Sequence, residues 1–143
     1  GRISVGIQSK LTLGNLKASR DWGFAGDYVK GMWMMMQHDK PDDWVLATGN
    51  SYTVEEFAKE AFEAVNLNWL DYVESSEKYF RPNEVDFLLG DSTKVKKHLG
   101  WEPETSFKDL VKLMVENDVK LAKKEAVLMN EGLLDPTWEH SKT

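Results

Sequence analysis

The sequence predicts an α/β fold in which helices are joined by a few short strands, with α+β as the alternative. Three observations support this: long segments have helical periodicity, the other apolar runs are short, and capping residues precede several helices. At 143 residues and 41% apolar composition, the chain can form one domain with a core. We expect that domain to be residues 1–127, followed by a loosely ordered tail at residues 128–143.

The first third of the chain is predicted to alternate helical and extended segments. Residues 2–10 are expected to end a helix that begins outside the chain, and residues 11–15 to form a short strand and a turn. Residues 19–22 should be extended, residues 23–39 helical, and the apolar run at 44–49 a buried strand. The predicted helix has an apolar stripe that we expect to face the core, made of Phe24, Tyr28, Met32 and Met35, with Val29, Trp33 and Met36 beside it.

The next helix is predicted within residues 51–65, because Thr53 followed by Glu56 forms a capping box. Its expected buried face is Val54, Phe57, Ala58, Ala61 and Val65. Residues 66–91 should hold short strand-like pieces and a loop.

Two further helices are expected in the last third of the chain. A short one should be capped by Ser92 and ended by Gly100, and a long one should start at Ser106. The long helix should direct Phe107, Leu110, Val111 and Met114 inward. So few and such short strands indicate one lobe of a larger protein.

Composition excludes several classes of function. The net charge is −6 with both signs interspersed, which argues against a nucleic-acid or anionic-membrane surface. The chain has no cysteine, so disulfides and thiol chemistry are excluded, and no apolar run approaches a membrane span. The three histidines, His38, His98 and His140, are scattered, so we expect them at the surface and predict no metal site.

Arginine is rare here, and two of the three arginines lie in non-helical segments beside acidic residues. Arg20 precedes Asp21, and Arg81 precedes Pro82 with Glu84 three residues further on. Pro82 favours an extended backbone at Arg81, and a guanidinium fits a phosphate with two parallel hydrogen bonds. A carboxylate such as that of Glu84 can accept hydrogen bonds from two ribose hydroxyls. This pattern indicates a nucleoside diphosphate site.

Structural ion pairs are the alternative interpretation of the same residues. Arg20 could pair with Asp21 or Asp27, and Arg81 with Glu84 or Asp86. The sequence has no glycine-rich dinucleotide fingerprint, no P-loop and no nucleophile–base arrangement. Tyr28 and Lys30 are also too close together to face the same side of a helix. We therefore expect no catalytic residue in this chain.

The chain resembles the GDP-mannose 4,6-dehydratases, which are extended short-chain dehydrogenases/reductases. The resemblance is carried by LGNLKASRDWGFAGDYVKGMWMMMQ, WVLATGNSYTVEEFAKEAF, YFRPNEVDFLLGDSTKVKKHLGWEP and TSFKDLVKLMV, in that order. These segments cover the chain to about residue 125. The family often has a basic residue before the RDW arginine, where this sequence has Ser19.

The resemblance implies that the chain is the C-terminal substrate-binding lobe of a larger enzyme. That enzyme would be a cytoplasmic homo-oligomer that uses NADP. It would convert GDP-mannose to GDP-4-keto-6-deoxymannose, on the route to GDP-fucose. The NADP-binding domain and the catalytic residues would lie outside this chain, so the chain alone should be inactive. Arg20 and Arg81 would bind the diphosphate, Glu84 the ribose, and Asn15 would lie near the guanine. The alternatives are part of another nucleotide-sugar epimerase or dehydratase, or a non-catalytic nucleotide-binding or assembly module.

Overall fold

The computed structural model describes residues 1–81, 83 and 85–135, and within them helices and short strands are mixed. The helices are α1 (Ala25–Met36), α2 (Val54–Glu63), α3 (Thr93–Leu99) and α4 (Phe107–Asn130), and the strands are β1 (Leu11–Leu13), β2 (Ser19–Asp21), β3 (Ser51–Thr53) and β4 (Val73–Ser75). Single 3-10 turns occur at Ile3–Val5, Trp69–Asp71 and Glu77–Tyr79. None of the helices in these ranges is long and apolar enough to cross a membrane.

The strands form two separate two-stranded sheets. β1 pairs in parallel with β4, with Leu11 opposite Val73. β2 pairs antiparallel with β3, with Arg20 opposite Tyr52. Because each strand has three residues, the ladders are too short to be stable alone and depend on the helices packed beside them.

The core lies between α2 and α4 and around Trp101, which follows α3 and packs against α1. Its fully buried side chains include Trp101, Val95 and Val111, and the exposed fraction of Trp101 is 2%. Aromatic rings connect the β2–β3 sheet to this core, since Tyr52 stacks on Phe107 with ring centroids 3.9 Å apart.

Asp27 joins α1 to the segment between α3 and α4. Its side chain is buried, and one carboxylate oxygen accepts hydrogen bonds from the backbone N–H of Glu104 (3.1 Å) and of Thr105 (2.9 Å). Its backbone oxygen accepts the indole N–H of Trp101 at 2.8 Å. A buried carboxylate is therefore compensated by main-chain donors, which fixes the position of α1 on the core.

Several predicted helix ends are confirmed. The Thr53 hydroxyl accepts from the Glu56 N–H at 3.0 Å and the Glu56 carboxylate accepts from the Thr53 N–H at 2.7 Å, which completes the capping box of α2. The Thr53 N–H and hydroxyl both donate to the Glu56 carboxylate and so lower its pKa. Gly100 ends α3 with φ of 70°, and the Ser106 hydroxyl caps α4. Ser92 occupies the N-cap position of α3 but makes no capping side-chain hydrogen bond.

Two predicted elements are wrong. Residues 2–10 do not end an α-helix, because they form a 3-10 turn at Ile3–Val5 that Gly6 stops in a left-handed conformation. Residues 44–49 form no strand, and Val45 is exposed. The N–H groups of Thr48 and Gly49 bond to the Asp21 carboxylate instead of to a neighbouring strand.

The inward stripe predicted for α1 is found only in part, since Phe24, Tyr28 and Met35 are half-buried but Met32 is exposed. The buried residues of this helix are Asp27 and Gly31, whereas Trp33 is 64% and Met36 81% exposed. A Cβ at Gly31 would lie 2.9 Å from Leu46 and Trp101 atoms, so the helix approaches the core closely through its glycine. Positions two residues along a helix are about 200° apart, which turns Val29 and Trp33 outward. We call the exposed Val29, Met32, Trp33 and Met36 the α1 apolar face.

The last helix extends beyond the predicted end of the domain. α4 continues to Asn130, three residues into the segment expected to be loose, and residues 136–143 lie outside the described residues. Leu110 and Val111 are buried as predicted, but Met114 is 44% exposed. The C-terminal part of α4 is attached to the first residues of the chain, since the Arg2 guanidinium donates two 2.8 Å hydrogen bonds to the Glu125 carboxylate.

Replacing Asp27 tests the connection between α1 and the core. Asp27→Ala leaves two partly buried N–H groups without an acceptor and should lower the free energy of unfolding by about 2–4 kcal/mol. Asp27→Asn keeps an oxygen at the same place and should lose about 1 kcal/mol. Urea unfolding of the three proteins measures this, and equal losses in both variants would contradict the hydrogen-bonding role.

Candidate functional site

The candidate site is built around residues 76–90, which we call the arginine loop because it contains Arg81. Its first part packs against the turn after β1. The Ser76 N–H donates to the Leu13 oxygen at 2.9 Å, and a Cβ at Gly14 would lie only 2.6 Å from the Tyr79 oxygen. Only glycine fits so close an approach, which places Asn15 beside the residues that precede Arg81.

β2 holds the second part of the arginine loop. The Ser19 N–H donates to the Asp86 oxygen at 2.7 Å, and the Leu88 N–H donates to the Ser19 oxygen at 3.1 Å. The Arg20 guanidinium donates to the Val85 oxygen at 2.6 Å and to the Ser19 oxygen at 2.7 Å. Since Val85 is four residues from Arg81, its backbone lies within about 14 Å of that arginine.

Three of the four predicted site residues are thus brought to one loop. Asn15 lies in the turn after β1, Arg20 lies in β2, and Arg81 lies in the arginine loop itself. The Asn15 side-chain oxygen accepts the Lys17 N–H at 3.0 Å within its own turn. Glu84, the fourth, lies outside the described residues, so its place in the site stays a prediction.

Arg81 is exposed and forms no hydrogen bond or ion pair with any residue that the structure describes. The alternative in which Asp86 is its ion-pair partner is therefore not observed. The alternative that involves Glu84 stays open for the same reason as above.

The acidic residues near Arg20 bind the backbone. The Asp21 carboxylate accepts from the Thr48 N–H (2.9 Å), the Thr48 hydroxyl (2.6 Å), the Gly49 N–H (3.0 Å) and the Gly90 N–H (3.3 Å). The Asp27 carboxylate accepts from two N–H groups, as described above. Successive side chains of a strand point to opposite faces, which explains why Asp21 is directed away from its neighbour Arg20 and towards these loops.

A surface depression of about 330 Å³ adjoins Arg20. It is lined by Arg20, Asp21, Tyr28, Val45, Leu46, Ala47, Leu88, Leu89 and Gly90. Burial, together with the charges of Asp21 and Asp27, raises the pKa of the Tyr28 phenol above its usual value. Tyr28 therefore stays neutral near pH 7, and Lys30 pairs with Glu104 rather than with it.

A second cavity, of about 370 Å³, lies between α2, α4 and the first residues of the chain. Its lining is mostly apolar, with Arg2 and Glu125 among its polar residues, and no predicted site residue contributes to it. Across the described ranges, no group of three or more histidine, aspartate or glutamate side chains is placed to hold a metal ion.

Solved structures show the class of protein to which this fold belongs. RMD from Pseudomonas aeruginosa complexed with NADPH superposes with a TM-score of 0.71 at 17% identity, covering 80% of this chain and 38% of that one. UDP-glucose 4-epimerase from Bifidobacterium longum, in complex with NAD+ and UDP, gives 0.70 at 21% identity, covering 83% and 37%. The fold is that of the C-terminal lobe of an extended short-chain dehydrogenase/reductase, as predicted.

Sequence comparison then identifies the family. The family model described as GDP-mannose 4,6 dehydratase matches residues 1–114, so the chain belongs to the GDP-mannose 4,6-dehydratase family and the predicted resemblance is confirmed. GDP-mannose 4,6 dehydratase 2 of Arabidopsis thaliana is 58% identical over 135 residues, covering 94% of this chain and 36% of that protein. The Homo sapiens enzyme is 43% identical over 137 residues, covering 84% and 37%. The chain spans little more than a third of the length of these relatives.

Sequence reasoning missed the part played by Asp21, which was considered only as an ion-pair partner of Arg20. It also missed Gly90, where a Cβ would lie 2.2 Å from that of Ala47. The alternation of side chains along the predicted extended segment 19–22 was the available signal for Asp21, because it separates adjacent side chains. No local pattern indicates that Gly90 approaches Ala47.

The raised pKa of Tyr28 predicts a specific pH dependence of stability. Above about pH 10 the unfolded chain loses the Tyr28 proton while the folded chain keeps it, so the free energy of unfolding should fall as pH rises. Tyr28→Phe lacks this titration and should lose less stability between pH 9 and 11. Urea unfolding of both proteins across that range tests the prediction. The difference between them at pH 7 gives the effect of removing the hydroxyl itself. Parallel profiles for the two proteins would refute the prediction.

Proposed function

We propose that this chain is the GDP-sugar-binding part of an enzyme that dehydrates GDP-mannose to GDP-4-keto-6-deoxymannose. The observation that carries the proposal is the convergence of Asn15, Arg20 and Arg81 on the arginine loop, in a chain of the dehydratase family. The proposal extends to the whole protein what its longer relatives' names state of them.

The arginines supply the charge that a diphosphate needs. Arg81 is exposed and forms no hydrogen bond or ion pair with described residues, and we propose that its planar donors bind a phosphate in the bidentate manner. Arg20 is held in place by two backbone oxygens through one nitrogen of its guanidinium, Nη1. Arg20 on β2 and Arg81 on the arginine loop thus supply one guanidinium group for each of the two phosphates of a GDP-sugar.

The polar residues beside them suit the nucleoside. The Asn15 side-chain oxygen accepts the Lys17 N–H, and its amide nitrogen is proposed to donate to an acceptor of guanine such as O6. Glu84 is proposed to accept the ribose hydroxyls, as its position three residues after Arg81 suggests.

The described residues of this chain do not form a binding site for the proposed NADP. Dinucleotide phosphates bind at a glycine-rich turn that opens a helix. The positive-φ glycines of the described residues, Gly6, Gly49, Gly100 and Gly132, are isolated from one another, and Gly6 and Gly100 end helical turns rather than begin them. We therefore assign NADP to the remaining two thirds of the longer protein and derive no chemical step from it here.

The α1 apolar face supports the same division. Four large apolar side chains on one helix, each more than half exposed, are costly to leave in water. We propose that the rest of the longer protein covers this face, and that the chain in isolation shields it by self-association.

Self-association should respond to charge on that face. The double variant Trp33→Lys, Met36→Lys should shift the isolated chain towards monomer, because two ammonium groups oppose apolar contact between copies. Gln37→Lys adds a charge at an exposed neighbouring position and should leave association unchanged. Sedimentation velocity over a concentration series measures both, and a wild-type chain that is monomeric throughout would contradict the prediction.

The function is best tested in a chimaera in which this chain replaces its counterpart in the 58% identical Arabidopsis relative. The chimaera should form the 4-keto product from GDP-mannose, and the chain alone should not.

Arg81→Lys keeps the charge but loses the planar fork, so it should weaken GDP binding by about 1–3 kcal/mol, and Arg81→Ala should weaken it more. Isothermal titration with GDP gives these values.

Stability measurements separate a ligand-binding role of Arg81 from a structural one. Thermal melts should change little in either Arg81 variant, whereas a structural partner of Glu84 would lose stability and Glu84→Gln would reproduce the loss. UDP serves as the control ligand and should bind more weakly than GDP, whereas part of a UDP-sugar epimerase would show the reverse. Unchanged GDP affinity in Arg81→Ala would remove this residue from the site.

A further inference from the structure

Asp21 is the point at which three segments of the chain meet. Its carboxylate uses one oxygen for Thr48, accepting from both its N–H and its hydroxyl, and the other for the N–H groups of Gly49 and Gly90. Both oxygens of this carboxylate are thus occupied by three N–H groups and one hydroxyl. They join β2 to residues 48–49 and to the far end of the arginine loop.

The arginine loop is attached to β2 at successive positions. Val85 is bound by the Arg20 side chain, Asp86 and Leu88 by the Ser19 backbone, and Gly90 by the Asp21 side chain. Gly90 also lies against Ala47, where any Cβ would be 2.2 Å from that of Ala47. The hydrogen bond and the tight packing together define where the loop ends.

We propose that Asp21 is a positioning residue for GDP-sugar binding, which acts by fixing the arginine loop and thereby the place of Arg20 and Arg81. This inference rests on the proposed function. Asp21 itself does not touch the ligand in this scheme, because its oxygens are occupied by backbone and hydroxyl donors. Its contribution is to hold the two guanidinium groups in one arrangement, so that the ligand does not have to order the loop on binding.

Asp21→Asn is the discriminating substitution. It preserves size, and its one oxygen can still accept from Thr48, but its amide group would face the N–H donors of Gly49 and Gly90. In the chimaera, GDP affinity should fall about tenfold, the equivalent of one lost charged hydrogen bond. KM for GDP-mannose should rise while kcat changes less than twofold. Thr48→Val removes only the hydroxyl contact and should change affinity less than Asp21→Asn.

A double-mutant cycle separates positioning from general destabilisation. If Asp21 acts through the arginines, Asp21→Asn should lower GDP affinity by less than twofold in an Arg81→Ala background. Gly90→Ala, which forces the loop off Ala47 with the carboxylate intact, should reproduce the loss in the wild-type background. Hydrogen exchange of the Gly90 amide should accelerate in Asp21→Asn without any ligand present.

The outcomes distinguish this inference from the proposed function. A chimaera that binds GDP and retains its affinity in Asp21→Asn, or that shows additive losses with Arg81→Ala, overturns the positioning role alone. A melting temperature that falls in Asp21→Asn without any change in GDP affinity also overturns the positioning role. A chimaera that binds no GDP overturns both proposals.

Discussion

The arrangement of the candidate site depends on β2 being bound along both edges. One edge pairs with β3, and the other carries the Asp86–Leu88 part of the arginine loop through the backbone of Ser19. A strand of three residues has little stability of its own. Because Asp21 and Arg20 add side-chain bonds to the same loop, β2 becomes a fixed reference for it. The contacts of Ser19 with the arginine loop are made by its backbone, so they do not depend on the side chain at this position.

The elements that could be predicted are those whose signals are local. The capping box of Thr53 and Glu56, the glycine stop at Gly100 and the cap at Ser106 each depend on residues within four positions, and all were found in the structure. The strand predicted at residues 44–49 failed because its N–H groups have a distant side chain, that of Asp21, as their acceptor. The candidate site shows the same contrast. Arg20 and Arg81 were identified from their local sequence and Asn15 through the resemblance, whereas the hydrogen bonds that attach the arginine loop to β2 join residues up to 69 positions apart.

Helix α1 shows why an apolar stripe does not by itself define the core side of a helix. Its methionines and tryptophan suggested burial, yet the helix packs through Gly31 and the Asp27 carboxylate, and leaves Trp33 and Met36 outward. The pattern was consistent with a buried helix, but it did not specify what buries it. In a chain that spans about a third of its relatives' length, an apolar face can belong to an interface with residues beyond that chain. If the rest of the longer protein covers this face, as proposed, periodicity identifies a buried side of the helix but not the partner that buries it.

The acidic residues around the arginines resolve an apparent contradiction in the sequence. An anion-binding site in a chain of net charge −6, with aspartates adjacent to its arginines, would be weakened if those carboxylates faced the same ligand. Asp21 and Asp27 instead accept hydrogen bonds from main-chain N–H groups, and Asp91, whose pKa is lowered by its hydrogen bonds with Thr93, accepts the N–H at the start of α3. Their charge is directed into the loops that support the site. Arginine and aspartate can therefore be neighbours in sequence while one faces the ligand and the other holds the backbone that presents it.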